Sequence, residues 1–206
     1  MARPRKATDD EVFVATQRAM ARLGPAELTL AAIAKEAGLT AGALVQRFGS
    51  KRALLLALSN RYSGGTREMF DGLRRGRRSP LAVLRAYADC LAGLATSPAA
   101  LARSLSYLQV DLTDPDFRTH LVKHARASRV ELEQIIDEAI TAGELARGTD
   151  SRQLARTVEA VVGGSMMAWA YYEEGTAAHW MRHDLDAVLA PYQRQRHKSK
   201  GKSARR

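Results

Sequence analysis

One cysteine stands in the 206 residues. Cys90 alone can build neither an intrachain disulfide nor a multi-cysteine zinc site. Long apolar runs are missing as well. The longest internal stretch without a charge, Ala160 to Tyr172, includes Gly163, Gly164 and Ser165. It is shorter than the roughly 20 apolar residues that a membrane span needs. The opening MARPRKATDD has no apolar stretch behind its charges, unlike a secretory leader. Alternating strand patterns and Asn-Gly or Asp-Gly hairpin turns are absent. These absences point to a soluble, cytoplasmic, all-helical chain with no membrane partner.

What is present is positive charge, 32 Lys and Arg against 22 Asp and Glu. The excess lies at the ends. Arg3, Arg5 and Lys6 open the chain without an acid, and residues 194–206 are basic without an acid. The stretch between them is balanced at 22 of each sign. Basic arms on a neutral body favour a polyanionic partner. The tail RQRHKSKGKSARR is too polar to fold alone, and disorder is expected there.

Helix punctuation is frequent. Thr8 with Glu11 forms a capping box, in which hydroxyl and carboxylate satisfy each other's backbone amides. Val12, Ala15, Ala19 and Leu23 then share one face, and Gly24-Pro25 ends the helix. Thr29, Thr40 and Ser50 are placed to cap three more helices. Ser79-Pro80, Ser97-Pro98 and Asp114-Pro115 repeat one start signal, a polar cap before a proline whose missing amide costs nothing there. Asp150 and Thr176 open the last two helices. Leu54, Leu58, Tyr62, Met69 and Leu73 recur at helical steps across Gly64-Gly65, so a long fourth helix is expected, with a kink or break at the glycines. Pro115 to about Ala142 has no breaker and predicts a helix of roughly 40 Å. About nine helices are expected.

The segment from Leu28 to Leu58 carries the most information. Two short helices are joined by Ala37-Gly38-Leu39-Thr40. Ala34 is small where the helices must approach, Gly38 permits a left-handed turn, and Leu44 fills the gap between them. These offsets are those of a helix-turn-helix, whose second helix enters the major groove of DNA. That helix begins at Thr40. Ala41, Gly42 and Ala43 are small enough for close approach. Gln46 suits adenine, and Arg47 suits guanine or phosphate. Ser50 and Lys51, at the next helix start, form a candidate phosphate clamp, as does Thr29. Arg3 and Arg5 are candidates for an adjacent groove or the backbone.

Thr29, Ile33, Ala34, Ala37-Gly38-Leu39-Thr40, Gly42, Leu44, Phe48, Ser50-Lys51 and Ala53-Leu54 together resemble the DNA-binding domain of the TetR family of bacterial regulators. The match is dense over about 30 residues and more specific than a bare helix-turn-helix. Two positions depart from it. The family usually has tyrosine at the place of Val45, often as a phosphate contact, and often histidine at the place of Arg47. Operator preference therefore does not carry over from relatives. The resemblance implies a double-stranded DNA partner, a palindromic operator, a homodimer and an unidentified small-molecule effector. It also implies a division into a basic arm (1–7), a DNA-binding domain (8–58), an effector-binding and dimerisation domain (59–193) and a basic tail (194–206). Regulation by release of a repressor is the leading reading. A constitutive binder or activator without effector, and a helical ligand-binding protein that leaves the motif unused, are the alternatives.

Beyond residue 60 the signals are stripes. Leu154, Val158, Val161, Ser165, Ala168 and Tyr172 fall at heptad-like steps, as do Ala177, Met181, Leu185, Val188 and Tyr192. They suit a four-helix dimer interface or the closure of one chain's core. The resemblance favours the interface. Tyr87, Cys90, Leu94, Leu105, Tyr107, Leu108, Phe117, Leu121, Met166, Met167, Trp169 and Tyr171 are candidates for an apolar effector cavity or, individually, for plain packing. Cys90 reads as a small buried hydrophobe. His120 with His124, and His179 with His183, stand four apart without the neighbouring acids of hydrolytic zinc or di-iron motifs, so a solvated or interface role is expected. Four arginines from Arg74 to Arg78 read as a solvated loop or a DNA contact. No cofactor, metal or catalytic nucleophile motif is recognised.

Overall fold

The computed structural model describes residues 7–193. Arg3, Arg5 and the tail 194–206 lie outside them. The described chain forms ten α-helices: α1 (Asp9–Arg22), α2 (Leu30–Ala37), α3 (Ala41–Phe48), α4 (Lys51–Gly64), α5 (Thr66–Arg74), α6 (Pro80–Ala92), α7 (Pro98–Thr113), α8 (Pro115–Thr141), α9 (Ser151–Tyr172) and α10 (Ala177–Leu189). A short 3₁₀ turn, Ala190–Tyr192, follows.

The starts follow from local chemistry. Glu11 N donates to Thr8 Oγ1 at 3.2 Å and Thr8 N donates to Glu11 Oε2 at 2.8 Å, completing the capping box. Thr29, Thr40, Ser50, Ser79, Ser97, Asp114, Asp150 and Thr176 each accept a first-turn amide with their side chains. Each such cap is worth about 0.5–2 kcal/mol over alanine. The expected long fourth helix is two helices. The chain leaves helical geometry at Gly65, and Thr66, next along, is buried against α8 through His124. This break turns about nine helices into ten.

Two apolar cores result. Val12, Ala19, Leu28, Ile33, Ala34, Leu44 and Leu54 form the smaller, within the N-terminal head of α1, α2, α3 and the start of α4. Phe70, Leu84, Leu132, Ile135, Ile136, Leu154, Val162, Trp169 and Leu189 belong to the larger, in the body. Burying each such side chain contributes about 1.5–3 kcal/mol.

The body core corrects several expectations. Val158, Met181 and Leu185 are fully buried inside one chain. They have no surface to give a partner, because α9 and α10 form an antiparallel hairpin that consumes its own stripes. Ser165 is buried too, donating to Asp184 Oδ2 at 2.6 Å. Val161, Ala168 and Val188 are half-buried and Tyr172 is exposed. Cys90 is exposed rather than buried, since it points off the outer side of α6. Arg74 is no loop residue. It ends α5 and pairs with Glu131 at 2.7 Å and Glu138 at 3.5 Å on α8.

Candidate nucleic-acid interface and the cleft behind it

The turn between α2 and α3 has the geometry that its residues suggest. Gly38 sits in the left-handed region at φ +67° and Leu39 N donates back to Ala34 O at 2.9 Å. A Cβ is strained there, so glycine fits. Ala34 and Leu44 are buried between the helices. The outer side of α3 is left open. Gly42, Val45 and Gln46 are exposed, with Ala41 and Ala43 half-buried beside them. The side-chain amide of Gln46 has no hydrogen bond to any described residue, so it is free to meet a base edge. Thr29, Thr40 and Ser50 are exposed at three helix starts, each with its hydroxyl capping an amide at 3.1 Å. Free first-turn amides at such starts suit phosphate oxygens.

Two candidate DNA contacts face elsewhere. Arg47 pairs with Asp9, donates to Ala7 O at 2.5 Å and lies 5.6 Å over the Phe48 ring. It braces the start of α1 instead of projecting from the reading surface. Lys51 Nζ donates to Pro25 O at 3.1 Å and Leu28 O at 2.8 Å. Its ammonium ties the α1–α2 turn to the start of α4.

Behind this surface, where head meets body, lies a cleft of about 460 Å³. Met20 and Pro25, then Lys51, Arg52, Leu55, Leu58, Ser59 and Tyr62 of α4 line one wall. Tyr107, Val110 and Asp111 of α7, Asp114 and Phe117 line the other. Polar ties cross the same junction. Tyr107 Oη donates to Leu23 O at 2.8 Å, and Arg103 Nε donates to Ala21 O at 2.8 Å. Arg52 donates to Asp114 at 2.9 Å and Asp116 at 2.7 Å. The bonded guanidinium of Arg52 holds the Asp114 carboxyl below its ordinary value. Burial pushes the Tyr107 phenol up to about 12 and raises the Tyr62 phenol. It also raises the Asp111 carboxyl.

Of the expected cavity residues, only Tyr107 and Phe117 line this cleft. Tyr87 is in the body core, stacked on Phe70 with ring centroids 5.4 Å apart. Trp169 is buried and donates to Gly175 O at 3.3 Å. Met166 is half-buried against the same core, and Leu121 is half-buried on α8. Leu94, Leu105, Leu108, Met167 and Tyr171 are exposed. The cleft-lining Leu58 and Tyr62 sat in the α4 periodicity, but nothing local marked Met20, Ser59, Val110 or Asp111.

The histidine pairs divide. His124 is not solvated: its Nδ1 meets Thr66 Oγ1 at 2.8 Å, and burial lowers its pKa. The Nδ1 of His120, one turn away, is buried without a partner. His179 and His183 are exposed. Among the described residues, no group of three or more histidine, cysteine or acidic side chains suits a metal ion, and no helix is long and apolar enough to cross a membrane.

Comparison with known proteins agrees with this geometry. Residues 12–58 match the family model of bacterial regulatory proteins of the tetR family, and residues 107–185 match the tetracyclin repressor-like C-terminal domain. No curated protein matches the chain. A TetR transcription regulator from Haloarcula marismortui is similar in structure at 19% identity and a TM-score of 0.71, over 90% of this chain and 98% of that one. SmeT, the repressor of the Stenotrophomonas maltophilia multidrug efflux pump SmeDEF, is similar at 23% identity and a TM-score of 0.65, over 92% of each chain. FadR from Bacillus subtilis, solved in complex with stearoyl-CoA, is similar at 18% identity and a TM-score of 0.65, over 89% of this chain and 98% of that one. With a helix-turn-helix of this form at one end and a matching helical body at the other, the chain belongs to the TetR family of DNA-binding transcriptional regulators.

Proposed function

We propose that the protein is a homodimeric repressor that holds a palindromic operator and is released from it by a small molecule bound between head and body. One observation carries this reading: Met20, Pro25 and Leu55 on the head side share a single cleft with Tyr107, Val110 and Phe117 of the body. An occupant touches both. The bonds from Arg52, Tyr107 and Arg103 cross the same junction and set the angle of the head. A ligand that prefers another angle shifts the population toward it. Coupling of about 1–3 kcal/mol changes operator affinity about 5–150-fold. Two copies of α3 must meet successive major grooves roughly 34–36 Å apart, so a change of angle in each subunit breaks the match.

The outward faces of α9 and α10 support pairing. Ala160, Gly164, Met167 and Tyr171 are exposed along α9, and His183 and Ala187 along α10. Small residues let helices of two subunits approach across a two-fold axis. Half-buried Val161, Ala168 and Val188 flank this face. In this reading residues 8–58 read DNA, residues 59–193 bind effector and partner, and the basic arms add salt-sensitive affinity. The protein works in the cytoplasm and catalyses no reaction.

Selection from random double-stranded DNA tests the reading. A palindrome with half-sites about 10 base pairs apart is expected. Failure to enrich any palindrome removes it. A metabolite screen against the resulting complex then looks for release. If no compound dissociates the complex, effector control is ruled out and DNA binding stands.

A further inference from the structure

The charges in the cleft narrow its occupant, given the reading above that the cleft is the effector site. Four charged side chains line it: Lys51, Arg52, Asp111 and Asp114. Three are already held. Lys51 is bonded to the carbonyls of Pro25 and Leu28, and Arg52 and Asp114 are bonded to each other. The Asp111 carboxylate has neither hydrogen bond nor ion pair to any described residue. It is half-buried, and burial raises its carboxyl above the ordinary value. A carboxylate drawn out of water without a partner is unfavourable until one arrives.

The protein's own cations are poorly placed to become that partner. Lys51 would have to abandon two carbonyls, and Arg52 the two acids that it bridges. An anionic ligand would meet the opposite problem, because both cations are engaged while one acid is open. A cationic ligand gains on each count. Its charge satisfies Asp111, and Tyr62 and Tyr107 on the same walls add aromatic rings of the kind that attract cations, while the Phe117 ring already has the Arg52 guanidinium 5.7 Å over it. Leu55, Leu58 and Val110 offer an apolar lining for the rest of the molecule.

We propose that this cleft binds a lipophilic cation, an amine or quaternary ammonium on an apolar body, with Asp111 as its counter-charge.

Calorimetric titration of the full chain with three probes of one length tests this. The probes are decyltrimethylammonium, the uncharged decyldimethylphosphine oxide and decanoate, each below its micelle concentration. The ammonium is expected to bind about tenfold tighter than the phosphine oxide, a difference on the scale of cation–π and ion pairing in a desolvated site, with decanoate weakest. Asp111→Asn should erase the preference. Equal binding of the charged and neutral probes overturns the proposal, and so does a preference that survives Asp111→Asn. The comparison on the native protein needs no variant to fold. Val110→Trp, which fills the cleft, separates the two levels. Equal binding that Val110→Trp abolishes rejects the cation and keeps the cleft as a pocket. Absence of all binding, or binding indifferent to Val110→Trp, rejects both.

Discussion

Arg52 of α4 forks onto Asp114 at the start of α8, with Nη2 2.9 Å from each carboxylate oxygen and Nε 3.2 Å from Oδ2. One side chain sits in the fourth helix, which begins at the reading surface, and the other caps the longest helix of the body. The pair is exposed, so it adds little to stability in salt. Its geometry, however, fixes an angle. Arg52→Ala should leave folding largely intact while loosening that angle, so that less effector is needed to release the operator. Operator dissociation measured against effector concentration checks this, and an unchanged release curve would detach the pair from signalling.

Lys51→Ala distinguishes a structural cation from a DNA contact. Loss of the bonds to Pro25 O and Leu28 O should destabilise the head by about 1–3 kcal/mol. The salt dependence of DNA binding should keep its slope. A phosphate contact predicts the reverse, a slope smaller by about one unit with stability unchanged. Urea unfolding and binding at several salt concentrations read both.

Gln46→Ala should change which sequences are bound, with a penalty of about 1–3 kcal/mol confined to particular base pairs. A uniform loss across all sequences would make Gln46 a positioning residue. Repeating the random-DNA selection on the variant gives the answer.

The helix starts were legible because each rests on neighbours in the chain. Thr8 needs only Glu11, and Ser79, Ser97 and Asp114 need only the proline that follows. The helix-turn-helix was legible for the same reason, since Ala34, Gly38 and Leu44 lie within a few turns. The direction of Arg47 and Lys51 was not, because their partners, Asp9 and Leu28, come from segments far along the chain. Periodicity marked Val158 and Met181 as apolar without saying whether the covering helix belonged to the same chain. The cleft was least visible. Met20, Tyr62 and Asp111 belong to three separate helices and share no local pattern.

Stability should fall as the solution is acidified through the histidine range. Burial beside Thr66 lowers the His124 pKa below the unfolded value of about 6.5. The unfolded chain therefore binds the proton more readily. The contribution of neutral His124 is complete above that value and is lost as pH falls toward the lower folded pKa. Denaturant midpoints across this window should decline, and His124→Gln should flatten the decline. An identical slope in the variant would assign it to other groups.

Gly164→Glu tests pairing. Nothing lies within 4 Å of where a Cβ would stand, so one chain accommodates the change. A charge on that face should yield monomers with much weaker operator binding. Light scattering of the variant decides, and a persistent dimer would move the interface elsewhere.

The break at Gly65 gives α4 a fulcrum. The helix is one unbroken rod of about 21 Å from Lys51 to that glycine. Leu58, in the cleft wall, stands about half as far from Gly65 as Ser50 does at the other end. A push of a given size near Leu58 would swing the Ser50 end through roughly twice that distance. An occupant too small to fill the cleft could thus still carry the DNA-facing residues out of step with a rigid groove.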